Sequence, residues 1–304
     1  MFLSMLPKVV QAEATSGIAA YKRNLSISTT LLIDADIIAF QFASSHQEDH
    51  DWGDGVVTKT AADMADVTPK IDAKLADWKA RWKADELIVC LSCPHDENFR
   101  MSVLPSYKGK RDYDNRPLLL TPIKEYLAKA YKTYARPSLE ADDVMGILST
   151  HPTLIPGRKV IVSEDKDMKT IPGWLWNPAK DKKPWKVSEE EADWWHLLQT
   201  VKGDSTDCYD GAPGYGEEAY RTVVDEGLKF EAYEHVFQRG PRKGTSETRW
   251  KKVPSESRWE SVVSIFAKAG LTEEDALVQA RVARICRASD YDFKNKEVRL
   301  WHPT

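Results

Sequence analysis

Short apolar runs that each end in acidic residues restrict this fold more than any other feature of the chain. Leu31-Leu32-Ile33 ends in Asp34 and Asp36, and Val160-Ile161-Val162-Ser163 ends in Asp165-Lys166-Asp167. Glu140-Ala141-Asp142-Asp143 opens an apolar helical run through Val144, Met145, Ile147 and Leu148. Gly203-Asp204-Ser205-Thr206-Asp207 adds a further acidic pair. The strand runs, with Leu87-Ile88-Val89, lack polar alternation, as strands covered on both faces do. Strands alternating with helices imply an α/β fold, a mostly parallel central sheet with flanking helices. Carboxylates at the carboxyl ends of such strands converge on one crevice. Packed together they repel one another, and hard divalent cations with oxygen ligands are the natural remedy. The pattern therefore points to Mg²⁺-dependent phosphate chemistry.

The 304 residues suffice for one large domain or two small ones, and 42% hydrophobic residues can bury a real core. Charged residues make up 30%, and no apolar stretch approaches the roughly 20 residues that span a membrane. Lys8 and Glu13 interrupt the apolar start, so no signal peptide is expected and a cytoplasmic location is. The net charge of −4 argues only weakly against a nucleic-acid partner, because an acidic site subtracts from the total while binding depends on local basic patches. Three such patches stand out: Tyr107-Lys108-Gly109-Lys110-Arg111, the lysines of 180–186, and the stretch 239–252 with Arg242, Lys243, Arg249, Lys251 and Lys252. Of the four cysteines, Cys90 and Cys93 form a lone C-x-x-C without the second pair that zinc requires.

Along the chain, 1–29 reads as an N-terminal extension and 30–186 as an acidic α/β core with a basic arch over about 94–135. Residues 187–304 read as a helical subdomain that returns to the core at its end. Within the core, 30–40 reads as a strand running into a helix, 58–84 as a helix with Trp78 and Trp82 one turn apart, and 86–92 as a strand. Ser188 and Glu191 make a capping box for the helix behind them. No strand pattern is read between 187 and 296.

Each acidic cluster alone has an ordinary reading: a helix cap for Glu140, a polar turn for Asp165 and Asp167, a solvated loop for Asp204 and Asp207. All three would have to hold at once, at positions the topology gathers, which favours a site. Gly211, Gly214 and Gly216 before a helix let the backbone approach a phosphate closely, in the manner of helix-hairpin-helix DNA binding. The alternative is a plain turn between helices. Tyr107 beside Lys108, Lys110 and Arg111 offers a ring for a base and cations for phosphate; the alternative is a solvated basic loop.

Taken together these residues resemble the 5′ nuclease family of flap endonucleases and 5′-to-3′ exonucleases, closest to the exonucleases of podovirus-type phages. The resemblance rests on Asp34, the Tyr107-Lys108-Gly-x-Arg111 loop, Glu140-Ala-Asp142-Asp143, Asp165-x-Asp167, Gly203-Asp204-x-x-Asp207 and the glycine turn, in the family's order. Ala-Asp-Trp-Trp-His-Leu at 192–197, Lys-Ala-Gly-Leu-Thr-Glu-Glu-Asp at 268–275 and Lys-Glu-Val-Arg-Leu-Trp at 296–301 extend it, so that it covers about 30–302. It implies a resolvase- or PIN-like core with a helix–three-turn–helix subdomain. Asp34, Glu140, Asp142, Asp143, Asp165, Asp167, Asp204 and Asp207 would hold two or more Mg²⁺, with Mn²⁺ able to substitute. Lys108 and Arg111 would act on the scissile phosphate, and Tyr107, Lys110 and the glycine turn would bind DNA, with K⁺ at the turn. The implied activity is 5′-to-3′ hydrolysis of duplex DNA, and of RNA in RNA–DNA hybrids, by a monomer in phage replication, primer removal and recombination.

One departure is visible. The family pattern has another aspartate at the end of the second strand, where this chain reads Leu91-Ser92-Cys93-Pro94-His95-Asp96. Spacing back from Phe99-Arg100 assigns the slot to Cys93, with Asp96 as the alternative. A flap endonuclease is the nearest rival reading. A catalytically silent DNA-binding scaffold is disfavoured by the retained acids, and a shorter ribonuclease of related type by the helices and glycine turn after 187.

Overall fold

A computed structural model describes residues 27–53, 56–112 and 115–303. Most of the expected extension 1–29 lies outside these. The central sheet has six strands in the order β5-β4-β1-β6-β7-β8. They are β1 (Thr29–Asp34), β4 (Glu86–Cys90), β5 (Thr133–Tyr134), β6 (Arg158–Val162), β7 (Gly173–Trp176) and β8 (Trp185–Val187). Five run parallel and β8 closes the edge antiparallel to β7. This is the expected α/β class.

The sheet is covered on both faces, which explains its unbroken apolar runs. Leu31 and Ile33 of β1 point into one core with Val67, Ile71, Leu75 and Trp78 of α2 (Met64–Arg81) and with Ile123 and Leu127 of α4 (Leu120–Ala130). Leu32 points the other way, into a core with Ile88, Ile161 and the apolar side of α5 (Ala141–Thr150). Alternate residues of one strand thus feed two layers. Trp78 and Trp82 both meet Trp176 of β7 edge-on, at 5.6 and 5.1 Å.

The sheet's order decides where the chemistry goes. After β1 the chain enters α1 (Ala35–Ser45) and reaches β4 on one side of β1, while β6 lies on the other. The crevice between the outgoing connections opens at the carboxyl ends of β1 and β6. Asp34 is the last residue of β1 and caps α1, accepting from the Ile37 amide at 3.2 Å. Short α3 (Arg100–Val103) begins the arch region beside it.

Beyond the sheet lie α6 (Glu189–Lys202), a short α7 (Glu217–Tyr220) continued by a wide turn through Asp225, α8 (Arg258–Lys268) and α9 (Glu273–Ala283). Leu198, Val201, Tyr220, Val262, Ile265 and Phe266 form their core. The capping box is present: the Glu191 amide donates to Ser188 Oγ and the Ser188 amide to the Glu191 carboxylate.

Two hairpins depart from the expectations. β2 (Gln47–Asp51) and β3 (Val57–Ala61) occupy ground partly read as helix, so the helix starts at Met64 rather than at 58. The stretch 187–304 is not purely helical either. β9 (Leu228–Val236) and β10 (Ser246–Pro254) pair along nine residues each. Their side chains are largely exposed on both faces, so no apolar alternation marks them in the sequence. The terminal strand pattern is present as β12 (Glu297–Val298), paired with β11 (Tyr291–Asp292).

Candidate active site

An open cleft of about 500 Å³ sits where the topology directs it, lined by residues of every acidic cluster. Asp34, Glu140, Asp142, Asp165, Asp167, Asp204 and Asp207 all face it, together with Lys108 and Arg111. Residues separated by more than 170 positions in the chain thereby share one space. Among the described residues no three acids enclose a single point as a ready-made cage; they ring the cleft.

The acids divide into two groups by their counter-charges. Glu140, at the start of α5, receives Lys108 Nζ at 2.5 Å, the Tyr107 hydroxyl at 2.8 Å and the Arg100 guanidinium at 3.5 Å. Burial alone would raise its carboxyl; Lys108 and Arg100 overcome that and hold it down at about 2. Asp207 receives Arg111 at 2.8 Å, with Lys108 at 3.7 Å. Asp204 accepts from the Thr206 amide and pairs with Lys166 at 3.2 Å.

The second group has almost no compensating charge. Burial, with Asp36 adding repulsion, pushes the Asp34 carboxyl up to about 7, although Ser163 Oγ donates to it at 2.7 Å. Burial and Asp165 push Asp167 to about 7, against a hydrogen bond from Gln199. Asp142 is raised well above the carboxylate range by burial, then by Asp34 and Asp165. Asp165 completes the group, its Oδ1 accepting from the Asp167 amide at 2.8 Å. This uncompensated negative charge fits divalent cations, and every donor is a hard oxygen.

The loop 107–111 is docked across the paired half. Lys108 lies in the left-handed region at φ 54° and its amide donates to the Asp207 carbonyl at 2.9 Å. Burial lowers its ammonium pKa, but Glu140 and Asp207 more than reverse this, so it stays charged.

Several expected site residues have other work. Asp143 is fully buried and outside the cleft: both oxygens accept from Arg100, at 2.7 and 2.9 Å, and one also from the Cys286 amide. It is a structural anchor rather than an exposed ligand, because no oxygen is free to face the cleft. Tyr107 is only 3% exposed and packs with Tyr209 and Val282, so its ring cannot take a base; its hydroxyl orients Glu140 instead. Lys110 is exposed and does not line the cleft. Gly211 is buried, and a Cβ there would stand 2.4 Å from the Val201 carbonyl oxygen, so its glycine serves a chain crossing. Gly214 and Gly216 face open space, as a backbone-approach surface requires.

At the end of β4 neither candidate for the vacant acid slot reaches the cleft. Asp96 is exposed on a short turn (His95–Glu97), and Cys93, whose backbone N–H donates to the Leu139 carbonyl at 2.9 Å, does not line the cleft. Ser92 lines the cleft instead, its hydroxyl accepting from the Ala141 amide at 2.9 Å. Level with Asp34 in the register is Cys90, fully buried.

Sequence reasoning missed Arg100, Ser92 and Gln199. Arg100 is 2% exposed, donating also to the Val282 and Arg284 carbonyls, so that it ties the arch, α5 and the segment after α9 together. Its only sequence signal was a basic residue in a loop leaving a strand end.

With the geometry established, the chain can be set beside known proteins. Residues 29–174 match the family described as 5′-3′ exonuclease, N-terminal resolvase-like domain. The chain is 35% identical over 283 residues to the exodeoxyribonuclease of Enterobacteria phage T3, covering 90% of this chain and 92% of that one. It is equally similar to the exonuclease of Escherichia phage T7, covering 90% and 93%. Among solved structures, the T5 5′-exonuclease with bound zinc superposes with a TM-score of 0.52 at 13% identity, over 84% of this chain and 93% of that one. At that identity the likeness concerns the fold.

Proposed function

The chain belongs to the 5′-to-3′ exonuclease family and is a nuclease, and from that premise we propose that it degrades duplex DNA from 5′ ends by Mg²⁺-dependent phosphodiester hydrolysis. One observation carries the reading: four acids with no direct ion pair among the described residues, Asp34, Asp142, Asp165 and Asp167, share a cleft with the cationic loop bearing Lys108 and Arg111. A ring of largely enclosed carboxylates that repel one another is favoured as a set of anions by cations among them.

Those four residues would hold the metal, with Glu140, Asp204 and Asp207 joining as their present partners, Lys108, Lys166 and Arg111, turn to the substrate. Bound Mg²⁺ would supply Lewis acidity and a more acidic water. The chain's own part is positioning and charge. Lys108 stays protonated and would steady charge growing on the scissile phosphate. Arg111, half exposed at the rim, would grip a phosphate oxygen. Tyr107 holds Glu140 in place. Gly214 and Gly216 would let the duplex backbone come close to the amides of that turn, and carbonyl oxygens of the turn would be the donors for a K⁺ there.

Phosphodiester hydrolysis at such a set of acids calls on no group at the sugar 2′ position, so we extend the proposal to the RNA strand of hybrids. Removal of primers and resection of ends in phage replication and recombination would follow from that chemistry. The T5 flap endonuclease, solved as a pseudo-enzyme–product complex with DNA and metal ions, shares the fold with a TM-score of 0.51 at 14% identity. The test is digestion of 5′-labelled blunt duplex, 5′-flap and RNA–DNA hybrid across a Mg²⁺ titration. Release of mononucleotides or short products from blunt ends, dependent on Mg²⁺, is expected. Cleavage in chelator would overturn the metal assignment, and cleavage confined to flaps would overturn the exonuclease reading.

A further inference from the structure

The hairpin β9–β10 is not used by the site described above. It is rooted beside the glycine turn: Phe230 at its base packs near Tyr215 of that turn at 6.4 Å, and Lys268 of α8 caps both rings. The Phe230 amide donates to Ser264 Oγ, and Lys229 pairs with Glu260, so α8 clamps the base. From there two nine-residue strands run out, roughly 30 Å at a strand's usual rise.

The charge along this ribbon is sorted. Within 228–254 there are seven basic residues against three acidic, in a chain whose net charge is −4. On the shaft the cations are largely matched: Lys251 pairs with Glu231, Arg249 with Glu247, and Lys252 donates to the Thr222 carbonyl. At the tip they are not. Arg239 and Lys243 are exposed and have no ion pair among the described residues, while Arg242 has only Glu247, which Arg249 shares. The tip is nonetheless ordered. Arg242 stacks on Phe237 at 3.8 Å, the Gly244 amide bonds the Phe237 carbonyl, and Phe237 returns the bond to Thr245. Arg242 is thus held by the ring, and the backbone that carries Arg239 and Lys243 by the turn's own bonds, which reduces the ordering cost of meeting a phosphate.

We propose that the ribbon is a second contact for duplex DNA, in which Arg239, Arg242 and Lys243 bind backbone phosphates about one helical turn away from those taken by the glycine turn. A B-form turn spans about 34 Å, which the ribbon's length matches. A two-stranded ribbon with a basic tip has the shape and sign for that surface. The inference rests on the reading that the glycine turn holds a duplex.

Arg239→Ala with Lys243→Ala is the probe, since both side chains are exposed and the loop's own bonds remain. Binding of blunt duplexes of about 10 and about 30 base pairs is followed by fluorescence anisotropy, with chelator present and salt varied. On the long duplex the double variant should bind on the order of 10-fold more weakly, and the slope of log affinity against log salt should fall by about 2. On the short duplex it should match the unaltered protein. No loss on either length, or equal loss on both, overturns the proposal. Gly216→Leu run alongside separates the two readings, because it should weaken both lengths alike. If it is silent while the tip variant keeps its length dependence, the glycine-turn reading fails and the ribbon contact stands.

Discussion

Lys108 and Glu140 meet at 2.5 Å across the cleft, and the pair divides its acids into compensated and uncompensated groups. Lys108→Ala should lower kcat by roughly 10²–10³-fold while duplex affinity changes little, because the cation is assigned to charge present only in the transition state. An unchanged kcat with weaker binding would make it an ordinary phosphate contact. Asp143 behaves oppositely. Asp143→Asn removes the two-pronged charged partner of the buried Arg100 guanidinium and leaves it only the longer contact with Glu140 at 3.5 Å, so unfolding in urea should show a loss of about 3 kcal/mol. The Mg²⁺ concentration for half-maximal activity should hardly move in the folded fraction. A shifted metal requirement at full stability would return Asp143 to the ligands. At the end of β4, Ser92→Asp adds a carboxylate to the cleft and should lower the Mg²⁺ requirement, whereas Cys93→Asp and Asp96→Asn should be nearly silent. A Mg²⁺ titration of the three variants on one labelled duplex decides it; a crippled Asp96→Asn would refute the assignment of Ser92.

At the scale of elements, the glycine turn separates residues that the sequence motif presents as equivalent. Gly211 combines φ 64° with backbone atoms of Val201 and Gly203 within 2.5 Å of where a Cβ would stand. Gly211→Ala should therefore destabilise the fold by more than the roughly 1–3 kcal/mol of left-handed strain alone, read as a lower unfolding midpoint. Gly216 has an extended φ of −140° and open space around it, so Gly216→Leu should leave the midpoint unchanged and act on DNA affinity. A stable Gly211→Ala variant would mean that the chain crossing can relax. The elements that sequence pattern missed share one physical cause. β2–β3 and β9–β10 are exposed ribbons held by backbone pairing, so neither strand face carries the apolar period that betrays a buried strand.

For the whole molecule, the acidic cleft couples stability to pH. Asp34 and Asp167 titrate near 7 in the fold, and Asp142 is also raised. Between the ordinary carboxylate range near 4 and about 7, the folded chain holds protons that the unfolded chain has released. Stability without metal therefore falls as pH rises through that window. Glu140, held down at about 2, acts in the opposite sense but only below the ordinary range, and buried His196, held down at about 3, offsets one carboxyl's share of the fall up to about pH 6.5, leaving the three raised acids to set the sign. Thermal unfolding in chelator should give a lower Tm near pH 8 than near pH 5.5, and Mg²⁺ should raise Tm more at the higher pH. Asp165→Asn with Asp167→Asn should abolish cleavage, leave metal-free stability equal or higher near pH 8, and shrink the metal's effect. Normal cleavage, or a Tm that rises with pH in chelator, would refute the crowded-acid account. The sequence by itself determined the parallel sheet and the place of the acids, because unalternated apolar runs mark strands covered on both faces and acidic residues at their ends mark the sheet's carboxyl edge. Only the tertiary structure decided which acids are free. Whether Asp143 meets Arg100, whether Tyr107 is buried, and whether Ser92 or Cys93 turns to the cleft depend on contacts between residues far apart in the chain, as Asp143 is from Cys286 and Tyr107 from Val282. A carboxylate's role follows from the charges around it, and those neighbours are fixed by packing rather than by spacing along the chain.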